Sequence, residues 1–163
     1  MTLLRIKTES VPYRVLLACA IASCAVTADP AQAATRCSIR ATAVNFGAYN
    51  VFTLPSAPND NGVGSVSVDC QGGGGPSFPV TLSPGQSGSF AARRMNSGAN
   101  LITYNLYTNA ARTIIWGDGS GGSSVMTQAK NSGTRFIVYG RIPGGQDAAV
   151  GTYSDSVVAT ILF

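Results

Sequence analysis

The stretch YSDSVVATILF, residues 153–163, alternates with a period of two along its whole length. One parity carries the apolar or small residues Val157, Ala159, Ile161 and Phe163, and the other parity is more polar. An alternation of period two is typical of a β-strand whose two faces differ in exposure. The stretch therefore predicts a terminal strand that turns one apolar face towards a core.

The same period recurs in short segments throughout the rest of the chain. Clusters of Gly, Asn, Asp and Ser separate these segments, for example Asn59–Gly62 and Gly117–Ser120, and such clusters favour turns. About seven short strands with regular turns predict an all-β, immunoglobulin-like β-sandwich. The other six strands are expected at Ser38–Val44, Ser65–Cys70, Phe78–Leu82, Leu101–Tyr107, Thr113–Trp116 and Arg135–Ile142.

The terminal strand has no later segment to cover its free edge, because the sequence stops at Phe163. Exposed apolar edge strands promote aggregation, so proteins usually cover, twist or charge them. Two interpretations stay open at this point. Either the strand pairs within its own sheet, or the sandwich is incomplete and accepts a strand from another chain, as pilins do in donor-strand complementation.

Residues 1–33 have the three parts of a secretory signal peptide. A positively charged n-region precedes the apolar run Val15–Val26, and an A-x-A cleavage site follows at Ala31–Ala33. Cleavage after Ala33 would leave residues 34–163 as one domain. The basic residues of the n-region are Arg5, Lys7 and Arg14.

A lipoprotein signal is the competing interpretation of this leader. Ile21–Cys24 loosely resembles a bacterial lipobox, which would make Cys24 a lipidated N-terminus. The apolar run before Cys24 is short and a better cleavage site follows it, so we favour cleavage after Ala33. No later segment has the roughly 18 apolar residues of a membrane span. The sequence thus predicts export to the periplasm and then to the cell surface or medium, with no integral membrane segment.

Cleavage would leave two cysteines, Cys37 and Cys70. An even number of cysteines in an exported chain predicts a disulfide, and a loop of roughly 33 residues gives it about 3–4 kcal/mol of stabilisation. The alternatives are two free thiols or half of a zinc site. Because the chain has no His and no other mature Cys, neither a metal nor a cofactor is predicted. Since Cys37 lies on the first predicted strand, the bond should join two early neighbouring strands.

The composition argues against nucleic-acid binding and against catalysis. The formal net charge is +4, which is far from the basic stripe of a nucleic-acid binder. Without His, a Ser-His-Asp triad is excluded. Asp118 and Asp155 could be imagined as a glycosidase pair, but both occur in Gly-rich settings where Asp favours turns. We therefore predict that the chain is not an enzyme.

Two groups of residues could contact a ligand at the surface. Arg93–Arg94 could bind an anionic glycan or a phosphate, although an exposed polar strand end is the favoured interpretation. Four aromatic residues could form a carbohydrate-binding face, although core or cross-strand packing is favoured for them. These aromatic residues are Tyr104, Tyr107, Trp116 and Tyr139.

Eight short motifs, together with the placement of the cysteines, resemble the spore coat protein U domain family, which includes archaic chaperone–usher pilus subunits. Each motif is weak alone, but their common order covers almost all of residues 34–163. The motifs are Cys37–Ile39, Phe46–Tyr49, Val68–Cys70, Arg93–Met95, Tyr104–Tyr107, Trp116–Gly119, Tyr139–Pro143 with Gly145–Gln146, and Gly151–Asp155.

The resemblance implies an exported pilin-type subunit that is used in adhesion and biofilm formation. A periplasmic chaperone would lend a strand to its open groove, and an outer-membrane usher would exchange that strand for one from another pilus subunit. Cys37 and Cys70 would form the disulfide. The groove would be lined on the last strand by Val157, Ala159, Ile161 and Phe163. The alternatives from the same pattern are a non-fibrous, coat-like surface protein and a small secreted carbohydrate-binding module.

One departure from the family concerns strand donation. Only Ala34–Arg36 would precede Cys37 in the mature chain, and three residues span about 10 Å. A typical strand has about five to six residues. The chain is thus expected to receive a strand and not to give one, which would suit the end of a fibre or a subunit outside its main shaft.

Overall fold

A computed structural model describes residues 2–11, 35–51, 57–72, 77–129 and 132–163. Within these ranges the chain forms nine β-strands, one 3₁₀ turn at Gly85–Ser87 and no α-helix, so the all-β prediction is confirmed. The strands are β1 (Thr2–Val11), β2 (Arg36–Gly47), β3 (Val63–Gln71), β4 (Ser77–Leu82), β5 (Arg93–Ser97), β6 (Asn100–Tyr107), β7 (Met126–Ala129), β8 (Ser132–Arg141) and β9 (Ser154–Leu162).

The strands pair in the order β1-β2-β3-β8-β6-β5-β9-β4-β7, and β1 pairs with β9 as well. This second pairing of β1 brings distant parts of the sheet together around one core. All pairs are antiparallel except β1 with β9, which run parallel. The result is an immunoglobulin-like, pilin-type arrangement in which β1 lies between β2 and β9.

The core is built from the inward parity of the predicted alternations. In β8, for example, Phe136 and Val138 are buried while Arg135 on the other parity is exposed. The Phe46 ring shows how tightly this core packs, because Gly62 and Gly140 both lie against it. A Cβ atom on Gly140 would lie 2.6 Å from that ring, so only glycine fits there without movement of the ring.

Several predicted strand positions differ from the structure. The run Thr113–Trp116 is not a strand, since only Ile115 and Trp116 form isolated bridges, to Tyr107 and Ser124. The strands β5 and β7 were not predicted, because their sequences RRMNS and MTQA are largely polar.

The leader also differs from the expectation in its described part. Thr2–Val11, which includes the predicted n-region residues Arg5 and Lys7, forms strand β1. In the full chain, β1 lies along the edge of β9 that was expected to be open. The open edge of residues 34–163 stays a prediction, since β1 belongs to the predicted leader. The apolar run Val15–Val26, with Cys24 inside it, and the cleavage site at Ala31–Ala33 lie outside the described residues.

Candidate strand-binding site between β2 and β9

The position that β1 occupies is a slot between β2 and β9. Against β9, β1 forms a continuous parallel ladder of nine residue pairs, from Leu3 with Ser154 to Val11 with Leu162. Against β2, it pairs only near its start, where Thr2 lies opposite Gly47. Without β1, one whole edge of β9 would present unpaired N–H and C=O groups, which are a template for another strand. We call this position between the two strands the slot.

The apolar residues predicted to line a groove lie where β9 faces the core behind the slot. Val157, Ala159 and Ile161 are completely buried. Phe163 is half-buried and packs edge-to-face against Phe78, with 6.5 Å between the ring centroids. The alternation in the sequence thus correctly assigned Val157, Ala159 and Ile161 to the core face of β9, and Phe163 follows the end of that strand.

The edge of β9 away from the slot is fixed to the sheet by backbone and side-chain hydrogen bonds. Val80 and Leu82 of β4 pair with Ile161 and Ala159 of β9. Beyond β4, the Ser83 amide donates to the Val158 carbonyl at 2.8 Å, and the Val158 amide donates to the Ser83 Oγ at 2.9 Å. This edge is thus paired with β4, and β1 occupies the slot edge of β9.

Asp155 fixes the start of β9 through a buried carboxylate. Its Oδ2 accepts a hydrogen bond from the Tyr104 hydroxyl at 2.7 Å, and its Oδ1 accepts one from the Gln86 amide at 3.0 Å. Burial, with Asp155 beside the hydroxyl, raises the pKa of Tyr104 far above its usual range, so Tyr104 remains a donor. The expectation of a turn position for Asp155 is wrong, because the residue is only 3% exposed and lies inside β9.

Arg93 is completely buried, which contradicts the expectation of an exposed, polar Arg93–Arg94 strand end. Its guanidinium donates to the Asn105 Oδ1 at 2.7 Å, to the Trp116 carbonyl at 2.8 Å and to the Ser83 carbonyl at 2.9 Å. Only Arg94 is exposed. Burial lowers the pKa of Arg93, but an arginine keeps its charge in proteins. Arg93 thus joins β5, β6 and the Ser83 segment next to β9, and it is not available to a surface ligand.

The disulfide between Cys37 and Cys70 supports the other wall of the slot. The two cysteines lie directly opposite each other on β2 and β3, as the sequence predicted for neighbouring strands. The bond closes a loop with a sequence separation of 33, for which chain entropy gives about 3–4 kcal/mol. It therefore ties β2, whose other edge meets β1, to the body of the sheet.

A charged cluster holds the segment that leads into β3. The Asp60 carboxylate accepts two hydrogen bonds from Arg141, at 2.7 and 2.8 Å, and forms a 3.4 Å ion pair with Arg112. Next to it, Asn59 is buried and bridges to Ile142 through two backbone hydrogen bonds. The hydrogen bond from Arg141 and the charge of Arg112 outweigh the opposing effect of partial burial and lower the pKa of Asp60.

This lowered pKa predicts a specific acid sensitivity. The carboxylate of Asp60 adds stability above its ordinary pKa, and that contribution disappears as the pH falls through the lower folded pKa. Asp60→Asn should therefore cost roughly 0.5–1 kcal/mol at pH 7, and its penalty should shrink towards zero as the pH falls below the ordinary pKa of an aspartate. Denaturant unfolding of both proteins across this pH range measures the difference. An equal penalty at every pH would show that the ion pairs do not act through the charge of Asp60.

The residues considered for other functions do not form a common site. Trp116 and Tyr104 are core residues, as favoured from the sequence, and the indole N–H of Trp116 donates to the Val80 carbonyl at 3.0 Å. Asp118 is exposed and accepts hydrogen bonds from Ser120 two residues on, as an aspartate in a turn does. Among the described ranges, no three His, Cys, Asp or Glu side chains gather where they could hold a metal ion. The same ranges contain no helix that is long and apolar enough to cross a bilayer.

Sequence comparisons connect this chain to a known family. Residues 20–160 match the family model of the Spore Coat Protein U domain. The chain is also 37% identical over 165 residues to Protein U of Myxococcus xanthus, and this alignment covers 85% of the chain and 90% of that protein.

One structural comparison agrees with the pilin-type fold. One similar chain comes from the crystal structure of the CsuC-CsuE chaperone-tip adhesion subunit pre-assembly complex from the archaic chaperone-usher Csu pili of Acinetobacter baumannii. The TM-score is 0.53 at 22% identity, and the match covers 79% of the present chain and 40% of the other one. The E. coli Hda pilus minor tip subunit, HdaB, matches at TM-score 0.46 and 14% identity, covering 78% and 83%.

Proposed function

Because the chain belongs to the spore coat protein U domain family, we propose that it is an exported, non-enzymatic structural subunit of a chaperone–usher pilus or surface fibre. Its partners are a periplasmic chaperone, an outer-membrane usher and other pilus subunits. Each of these contacts serves the delivery or exchange of one β-strand. The assembled fibre acts in adhesion to surfaces and in biofilm formation.

The single observation that carries this proposal is the slot between β2 and β9. Its occupant β1 belongs to residues 1–33, which the sequence predicts to be removed as a signal peptide. The mature chain would then keep β9 with nine residues unpaired on one edge. Main-chain hydrogen bonds from an added strand give affinity in such β-augmentation, and pockets for alternate side chains give specificity.

The side chains behind the slot supply the apolar part of this recognition. We assign the groove lining on β9 to Val157, Ala159, Ile161 and Phe163, of which the first three contribute no exposed surface while the slot is filled. An incoming strand would cover these core residues as well as the edge of β9. Its inward residues should therefore be apolar or small.

A non-fibrous, coat-like surface protein is the second candidate function. The 37% identity to Protein U, over 90% of that protein's length, is the observation that favours it. In that case the mature chain would act without capturing a strand from a partner. The two candidates differ in whether the mature protein is found alone.

Native and intact mass spectrometry of the tagged protein, isolated from the periplasm of its own host, separates these candidates. We expect a one-to-one complex with a chaperone, an intact mass that corresponds to residues 34–163, and an oxidised Cys37–Cys70 pair. A stable, lone, oxidised monomer would contradict the fibre-subunit proposal and favour the coat-like protein. An intact mass that corresponds to a lipidated chain starting at Cys24 would show that cleavage occurs before Cys24 and not after Ala33.

A further inference from the structure

A shallow cleft lies on the outer face of the sheet, where β2, β3 and β8 run side by side. Arg40, Ser67 and Arg135 form one row across these strands, because Ser67 pairs with both arginines. Neighbouring strands are about 4.8 Å apart, so the backbones of the two arginines are about 10 Å apart. The cleft encloses about 330 Å³, and both arginines line it. We call it the outer cleft.

Short polar groups form the floor of the outer cleft. The next row of the same face holds Ser38, Asp69 and Gly133. Gly133 has no side chain to fill the space beside Arg135, and a Cβ atom on it would lie only 3.2 Å from the Asp69 Oδ2. The two large basic side chains are therefore separated by hydroxyls, one carboxylate and an open glycine.

The two arginines of the outer cleft have no ion-pair partner within the described ranges. Both ion pairs in that part of the chain involve Asp60 instead, and Asp69 forms none with Arg40 or Arg135. Both arginines are exposed. A guanidinium carries five N–H donors and keeps its charge in proteins. These donors are therefore available to an anion from outside the chain.

We propose that the outer cleft binds a carboxylated polysaccharide, with uronate carboxylates held by Arg40 and Arg135. The Ser67 hydroxyl and the Asp69 carboxylate bind sugar hydroxyls between them. A guanidinium donates two parallel hydrogen bonds to a carboxylate, which gives specificity as well as affinity. The binding does not depend on the proposed function, although a fibre would repeat the cleft along its length and add avidity.

The charge of the outer cleft favours this ligand over a nucleic acid. Two arginines and one aspartate give the lining a net charge of +1. Duplex DNA carries one negative charge per about 1.7 Å of its axis, and Asp69 would repel phosphates at that density. A uronate polymer has neutral hydroxyls between its carboxylates, which matches two separated arginines with short polar groups between them.

The test measures the binding of polygalacturonate to the mature subunit as isolated from the periplasm, whether alone or with a chaperone. Methyl-esterified polygalacturonate is the control polymer, because it has the same sugars without the charge. We expect the parent to bind the esterified polymer at least about tenfold more weakly, and its affinity for the charged polymer to fall as salt is added.

Single substitutions locate this binding on the protein. Arg40→Gln and Arg135→Gln should each weaken the binding of polygalacturonate about fivefold or more, because each removes one charged donor pair. Arg94→Gln is the matched control, since Arg94 is an exposed arginine of β5 outside the cleft, and its affinity should stay within about twofold of the parent. All three variants should unfold within about 2 °C of the parent, because their side chains are exposed.

Equal affinity for the two polymers would overturn the proposal, and so would equal losses in the control variant and the two cleft variants. Tighter binding of a DNA duplex than of polygalacturonate would also overturn it. The outcome is separate from that of the proposed function. Loss of polysaccharide binding in Arg40→Gln should leave chaperone capture through β9 unchanged, and a subunit that captures no chaperone would still have the outer cleft.

Discussion

The Ile161→Asp variant should fail to be captured by a periplasmic chaperone. Ile161 is 0% exposed and lies on the face of β9 that an added strand would cover. An aspartate there loses the apolar contact and places a charge in the core, and the two effects together cost about 3–5 kcal/mol. Co-purification of the chaperone with the tagged subunit from the periplasm measures the loss, which we expect to exceed tenfold.

Leu162→Asp is the matched control for this result. It adds the same charge to the same strand one residue later, but Leu162 is 45% exposed and on the outer parity. Arg94→Ala, which changes an exposed residue away from β9, should also bind the chaperone nearly as well as the parent. If Ile161→Asp retained full chaperone binding, the groove assignment on β9 would be wrong.

The Arg93→Ala variant should show the second large effect, on folding stability. Removal of the guanidinium leaves the Ser83 and Trp116 carbonyls without their buried donor. The Asn105 Oδ1 loses one of its two donors and keeps the Leu106 amide. Each unsatisfied buried acceptor costs about 1–3 kcal/mol, so we expect a total loss of about 3–5 kcal/mol and a Tm lower by roughly 10 °C or more.

The adjacent Arg94→Ala variant provides the control, because it removes the same side chain from an exposed position on the same strand. Its effect should stay within about 0.5 kcal/mol. Thermal and denaturant unfolding of the oxidised chains compares the two. Similar stability losses in both variants would mean that the buried hydrogen bonds of Arg93 do not support the fold.

The parts of the fold that could be predicted from the sequence are those in which one face of a strand is buried. In β9 and β8 the period of two reports directly which residues face the core, and Val157, Ile161 and Phe136 are buried as that period requires. The disulfide could be predicted from the sequence as well, because two cysteines in an exported chain usually form a disulfide. Their position on β2 and β3 followed from the strand pattern.

The strands that the sequence analysis missed or misplaced have a different physical origin. The sequence of Thr2–Val11 has both the alternation of a strand and the positive charge of a leader. Because these residues were assigned to the leader, strand β1 was not predicted. The strands β5 and β7 are polar, so only pairing with their neighbours makes them strands. The apolar run that ends at Trp116 indicated a strand, but that indole fills the core from an irregular segment.

The buried polar residues could not be assigned from the sequence either. Arg93 was interpreted as part of an exposed strand end and Asp155 as a turn residue, and charged side chains are almost never completely buried without partners. Their partners come from distant parts of the chain, such as Trp116 for Arg93 and Tyr104 for Asp155. The sequence did contain one indication that Arg93 is buried. Arg93 has the same parity as Met95 on β5, and both residues are buried.

Amide hydrogen exchange along β9 tests the central claim most directly, because it reports whether the slot edge is paired. The mature subunit would be measured as isolated from the periplasm, with its partner bound, and again after the partner has been removed under mild conditions. We predict strong protection of Ser154–Leu162 in the complex and its loss in the free subunit, while the core strand β8 remains protected in both. Equal protection of β9 in both states would contradict the account, because the mature fold would then close its own edge.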